Sequence, residues 1–175
     1  MDDYPQRRPN RLSGWDYSAS GAYFVTICTH EKRCFLSGIN VGALHEAPAV
    51  SLTPEGEIVR QVIDALPERF PELRVEKYVV MPNHIHLLLE IGPERAIRES
   101  PLQADEKRSL LSRAVGYLKM NSSKRIRAIR PGLAVWQRSF HDHIVRGEAD
   151  HREIWAYIDG NPAKWAEDRF YTDAR

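Results

Sequence analysis

The sequence predicts an α+β protein: an antiparallel sheet with helices packed on one face, close to a split βαβ ferredoxin-like plan. Three observations carry that reading. Segments rich in β-branched and aromatic residues alternate with segments showing the apolar spacing of helices. Their order is strand, helix, strand, strand, helix, strand, helix. A short turn, "MPN" (81–83), joins the middle two strands and makes them an antiparallel hairpin.

Residues 1–20 are polar and turn-rich, with Arg7, Arg8 and Arg11 clustered, and read as a flexible basic arm. "GAYFVTICTH" (21–30) has strand composition. Residues 36–52 scatter Gly and Pro and read as a loop or irregular hairpin. "TPEGEIVRQVIDALPERF" (53–70) opens a helix with Thr53 as cap and Pro54 in the first turn. Ile58, Val62 and Leu66 recur at four-residue spacing, and Pro67 ends or breaks the helix. "RVEKYVV" (74–80) and "HIHLLLEI" (84–91) are the second and third strands, and 92–107 reads as an exposed loop. "SLLSRAVGYLKMNSSKRIRAI" (109–129) has helical spacing through Leu110, Ala114, Tyr117 and Leu118. It carries Lys119, Lys124, Arg125, Arg127 and Arg130, and Pro131-Gly132 ends it. Residues 133–146 read as a loop leading into a strand around 139–146. "EADHREIWAYIDGNP" (148–162) is a helix stopped by Gly160 and Pro162, with Ile154, Trp155 and Ile158 as its buried stripe. The tail, 166–175, is polar.

The chain's 175 residues suit one domain spanning 1–175. A net charge of +1 gives no global field toward nucleic acid, so any such binding rests on local patches. Cys28 and Cys34 form neither a C-x-x-C motif nor a disulfide framework, which fits a reducing cytosol. No apolar signal core opens the chain, and no stretch approaches the length of a membrane span. The expectation is a cytoplasmic protein with no membrane partner.

On a strand, side chains alternate faces. His84, His86, Leu88 and Glu90 therefore share one face; Ile85, Leu87, Leu89 and Ile91 share the other, which is the natural core side. Two imidazoles on one face stand roughly 6–7 Å apart at Cα, and their tips can converge on one ion. Spacing alone leaves two readings open, a structural pair and a metal-binding pair. The segment supplies no third ligand. Position 88 is Leu, so the third histidine of a His-φ-His-φ-His nucleotide hydrolase is missing, and the His-x-Ser/Thr repeats of a two-histidine phosphodiesterase are absent; both readings are disfavoured. In the last helix Tyr157 lies at the margin of the buried stripe, with Asn161 one turn further on the same face. Local evidence there fits an amphipathic packing tyrosine and a helix-terminal Asn as well as a phenol and an amide at a site.

Four segments together resemble the single-tyrosine HUH (His-hydrophobe-His) transposases, and more closely the REP-associated tyrosine transposases. They are "DYSASGAYFVTICTHEKRCFL" (16–36), "YVVMPNHIHLLLE" (78–90), "WQRSFHDHIVR" (136–146) and "YIDGNPAKW" (157–165). They span most of the chain in the family's order. The resemblance implies an HUH nuclease plan whose sheet carries His84 and His86 as metal ligands and whose last helix carries Tyr157 as nucleophile. Asn161 falls where relatives place a polar third ligand, often Gln. Tyr117 fits the core stripe and has no family match. The implied cofactor is Mg²⁺ or Mn²⁺, with Mn²⁺ favoured by imidazole ligands and no nucleotide cofactor. The implied activity is sequence- and structure-specific cleavage and strand transfer on single-stranded, hairpin-forming DNA through a 5′-phosphotyrosine link. Lys119, Lys124, Arg125, Arg127, Arg138 and Arg146 are candidate phosphate contacts, as are Arg7, Arg8 and Arg11 for a single-stranded flank. His143, in the matched "F.DH.I.R" segment, is a candidate for DNA contact or site support, with His141 on the same face. Two other readings stay open: a domesticated protein that binds hairpin DNA or RNA without turnover, and a hydrolase of small phosphoesters. The latter lacks further His or Asp ligands in motif spacing. Both a monomer and a homodimer are compatible with the family.

Overall fold

The structure is a computed structural model that describes residues 20–40, 49–92 and 109–172. In chain order its elements are β1 (Gly21–Cys28), β2 (Ser37–Asn40), β3 (Ala49–Leu52), α1 (Pro54–Asp64), α2 (Leu66–Arg69), β4 (Leu73–Val80), β5 (His84–Ile91), α3 (Leu110–Ile129), β6 (His141–Ile144) and α4 (Glu148–Gly160). A 3-10 stretch, Pro162–Glu167, follows α4. Arg7, Arg8, Arg11 and residues 93–107 of the expected loop lie outside the described residues.

Four strands form one antiparallel sheet in the order β4-β5-β1-β6; β2 and β3 pair separately as a two-stranded ribbon. Alternation on β1 and β5 sends Tyr23, Val25, Ile27, Ile85, Leu87, Leu89 and Ile91 to one face. There they bury against Val59, Val62 and Ile63 of α1 and Leu111, Ala114, Val115 and Leu118 of α3. Each Val, Leu or Ile among them removed from water stabilises the fold by about 1.5–3 kcal/mol. Thr53 caps α1, its hydroxyl accepting from Gly56 N–H at 3.1 Å. The break comes before Pro67, which has no N–H to continue the ladder, and α2 restarts from Leu66.

The expectation that all helices lie on one face is corrected at α4. It packs on the opposite face, where Ile154 and Ile158 close over Leu88 with Phe24, Val79 and Val145 at the edge. The physical reason is that this face is not purely polar: Phe24 and Leu88 flank the histidines in register and need cover. Gly147 makes the turn into α4, at φ 91°, a conformation that L side chains rarely adopt. Trp155 is a second correction. It stands 39% exposed rather than in the buried stripe, with the Lys77 ammonium 4.5 Å above its ring. A break in the β4 register between Val75 and Lys77 turns Glu76 toward α4, where it pairs with His151 at 2.7 Å. Lys77 meets Asp159 of the same helix at 2.6 Å. The polar tail is not left apart from the fold. Through residue 172 it folds back onto the sheet end, with Phe170 buried and its ring 4.8 Å from that of His84.

Candidate active site

The "MPN" turn delivers β5 with His84 and His86 on the α4 face, both fully buried. Their rings are held from behind. Asn83 Nδ2 donates to the carbonyls of Lys32 (3.1 Å) and Phe170 (2.8 Å). That fixes its Oδ1 as the group 2.9 Å from His84 Nδ1, where it can only accept. The proton of neutral His84 therefore sits on Nδ1, and Nε2 presents a lone pair. His86 Nδ1 lies 2.9 Å from Thr26 Oγ1, a hydroxyl able to donate or accept. The two Nε2 atoms face each other at 3.1 Å. Either His86 donates an Nε2 proton across that gap, or both lone pairs share a cation.

Burial sets the charge state. It pushes His84 from its ordinary 6.5 down to about 4, the neighbouring Arg169 and Lys32 acting in the same direction and Asp168 against it. Burial, with His84 alongside, also drives His86 well down. Both are neutral near pH 7, the form that binds metal. Cys28, opposite His84 in the sheet, is a buried thiol raised by desolvation and so held protonated.

Tyr157 of α4 brings its hydroxyl to 3.5 Å from His86 Nε2 within the same chain. Its ring meets His86 and Phe24 edge-on, and it is 42% exposed, open to a substrate. Burial raises its phenol pKa first, and the Asp168 charge adds to this. One turn on, Asn161 is 3% exposed and donates Nδ2 to Asp168 Oδ2 at 2.9 Å. Its Oδ1 is buried without a hydrogen-bond partner. Such an orphaned acceptor costs about 1–3 kcal/mol, and a cation would satisfy it. Asp168 is the residue that sequence reasoning missed. Its carboxylate joins the Nε2 pair in a group whose ligand atoms all lie within 4.8 Å of one another. In the sequence it sits inside a polar tail, and the signal against treating that tail as inert is the apolar Phe170 two residues later. Two imidazoles and a carboxylate are a mixed donor set that fits Mn²⁺ well and admits Mg²⁺.

The other sequence candidates divide. Lys124, Arg127 and Arg138 line an open cleft of about 650 Å³ with Trp136 and Gln137. Lys119 borders it too, but its ammonium donates to the carbonyls of Gln137, Arg138 and Ser139 at 2.6–3.2 Å, so it is tied to the fold. Arg125 bonds Gln61, and Arg130 bonds Glu55 at 3.0 Å; neither lines this cleft. His143 sits on the site face opposite Phe24 but pairs with Asp150 at 2.9 Å, and Arg146 N–H caps the same carboxylate. Tyr117 packs edge-on against Phe70 at 5.7 Å, on the core side of the sheet.

The fold is that of a REP-associated tyrosine transposase. The solved structure of such a transposase bound to a REP hairpin superposes with a TM-score of 0.60 at 20% identity, over 88% of this chain and 74% of that one. A putative transposase from Deinococcus radiodurans R1 matches at a TM-score of 0.45 and 19% identity, over 86% and 97%. No protein-family model matches the chain. An uncharacterized protein of Haemophilus influenzae is 30% identical over 175 residues, 95% of this chain and 94% of that protein. The chain belongs to one family with it.

Proposed function

We propose that the chain is a metal-dependent tyrosine endonuclease and strand transferase of the transposase type, acting on single-stranded DNA beside a hairpin. The supporting observation is the Tyr157 hydroxyl, 3.5 Å from His86 Nε2 at the edge of the His84–His86–Asp168 group. The Tyr157 oxygen attacks the scissile phosphorus, the P–O3′ bond breaks, and the phenol proton ends, in net balance, on the 3′-oxygen. The product is a 5′-phosphotyrosine with a free 3′-OH. Reversal by a 3′-OH rejoins DNA without an external energy source. A bound Mg²⁺ or Mn²⁺, held by His84, His86, Asp168 and Asn161 Oδ1, would polarise the phosphate and offset the developing charge. Because the phenol pKa is raised, Tyr157 is a weak nucleophile at pH 7 until its charge is stabilised. His84 and His86 act as neutral ligands, and Phe170 excludes water above them. Nucleophile and ligands meeting in one chain support a site that works in cis. Lys124, Arg127 and Arg138 are the proposed track for the hairpin's phosphates.

The test is a denaturing gel after incubation with Mn²⁺ and a labelled hairpin bearing a single-stranded flank. A covalent adduct that disappears in Tyr157→Phe, while hairpin binding persists, is expected. Binding with no adduct in the unmutated protein favours the non-catalytic hairpin DNA- or RNA-binding reading instead.

A further inference from the structure

Asn83 is buried and uses every polar atom of its side chain. Oδ1 accepts from His84 Nδ1 at 2.9 Å. Nδ2 donates to Lys32 O at 3.1 Å and Phe170 O at 2.8 Å, with Thr172 Oγ1 at 3.4 Å. One side therefore sets the tautomer of a metal-ligand histidine. The other fastens the segment 168–172, whose far end is pinned by Asn161 through Asp168 and whose Phe170 ring covers His84. Within that segment, Phe170 N–H donates to Asp168 Oδ1 at 2.6 Å and Tyr171 N–H to Asp168 O at 2.8 Å. The carboxylate thus keeps its position only while this stretch of backbone is docked.

We propose that Asn83 is a positioning residue that couples two halves of the site: it holds His84 with Nε2 bare, and it latches the C-terminal segment that brings Asp168 to the histidines. The inference rests on the proposed metal site and assigns to Asn83 no contact with substrate. The two halves make opposite predictions for Asn83→Asp. The carboxylate still accepts from His84 Nδ1–H and makes that imidazole a stronger ligand. It cannot donate, so the bonds to the Lys32 and Phe170 carbonyls are lost and replaced by repulsion. If orientation of His84 were the whole role, Asn83→Asp would bind Mn²⁺ as tightly or more tightly. With the latch included, its Mn²⁺ affinity falls by about 10–100-fold.

Three measurements on the full chain test this. Titration calorimetry reads Mn²⁺ affinity. Amide hydrogen exchange on metal-free protein reads the Phe170 and Tyr171 N–H groups. Long-range ¹⁵N NMR, also metal-free, reads the His84 tautomer. We expect Asn83→Asp to lose Mn²⁺ affinity and the protection of both amides while keeping the Nδ1–H tautomer. We expect Asn83→Ala to lose the pure tautomer as well. Unchanged protection in Asn83→Asp, or unchanged or tighter Mn²⁺ binding, overturns the proposal. A global loss of protection in Asn83→Ala leaves Asn83→Asp, nearly isosteric, to decide. If the unmutated chain binds no Mn²⁺, the metal reading fails by itself, and the two metal-free readouts still decide the latch.

Discussion

Acidifying the metal-free protein from pH 7 to pH 5 should cost stability through the histidine pair. Burial holds His84 at about 4 against 6.5 in the unfolded chain. Between those values the unfolded state binds a proton that the native state refuses, so stability falls as pH falls. Above pH 6.5 both states are neutral and the term vanishes. Each unit of difference is worth about 1.4 kcal/mol, so His84 removes about 2 kcal/mol by pH 5 and about 3 kcal/mol by pH 4. His84 is fully buried, so solvent does not screen this term. His86 pulls the same way. Urea unfolding in EDTA at half-unit steps from pH 7.5 to 5 reads the slope before carboxylates titrate. A His84→Gln control should lessen it, leaving the His86 contribution. Saturating Mn²⁺ at a hundredfold its Kd should add about 2.7 kcal/mol at pH 7, shrinking on acidification because protons compete for the same nitrogens. A flat profile in the unmutated, metal-free protein would refute the claim that both imidazoles are held neutral by burial.

Asp168→Asn should weaken Mn²⁺ binding at least tenfold by calorimetry, because the site's carboxylate charge is lost, and should lower the Tyr157 phenol pKa, read from phenolate absorbance, because that charge helps raise it. A variant with unaltered Mn²⁺ affinity would remove Asp168 from the ligand set. Lys124→Ala combined with Arg138→Ala should weaken hairpin binding and reduce the slope of log K against log salt by about 0.7–0.9 for each phosphate no longer neutralised. Lys119→Ala, whose ammonium serves three carbonyls of residues 137–139, should lower the melting temperature and leave that slope unchanged.

Period and punctuation made the sheet legible. The two-residue period of a strand places the histidines of "HIHLLLEI" on the face opposite Ile85 and Leu87, and the β1–β5 register agrees. Thr53-Pro54 placed the start of α1 because capping is a local interaction. What was not legible was long-range. Whether α4 lies on the same sheet face as α1 and α3 depends on the chain's path through β6, and no helical period encodes that path. Trp155 was misplaced because a large apolar side chain beside a stripe can instead lie under a lysine such as Lys77. Asp168 lies 82 positions after His86; only the return of the chain, anchored by a single buried Phe170 and by Asn83, brings it to the site.

The histidine pair is a poor choice for packing alone, and that can be put to the test. In His86→Leu, the new side chain gains about 1.5–3 kcal/mol of burial. It strands the Thr26 hydroxyl and His84 Nε2, which now lean on His86 at 2.9 and 3.1 Å, at a cost of about 1–3 kcal/mol per group. Two such groups cost about 2–6 kcal/mol, which outweighs the gain by about 2 kcal/mol at mid-range, so the metal-free melting temperature should fall by about 4–8 °C. Tyr157, 3.5 Å away, gives up only a long and weak hydrogen bond. The gain in stability from Mn²⁺ should disappear altogether, since one of two converging nitrogens is gone. Thermal melts with EDTA and with Mn²⁺ separate the two effects in one experiment. A large loss in EDTA would mean that the pair is structural, and a surviving Mn²⁺ increment would mean that the ion binds elsewhere. A fall in EDTA no larger than that, together with a vanished increment, leaves ligation as the reason two imidazoles occupy a face that leucine could fill.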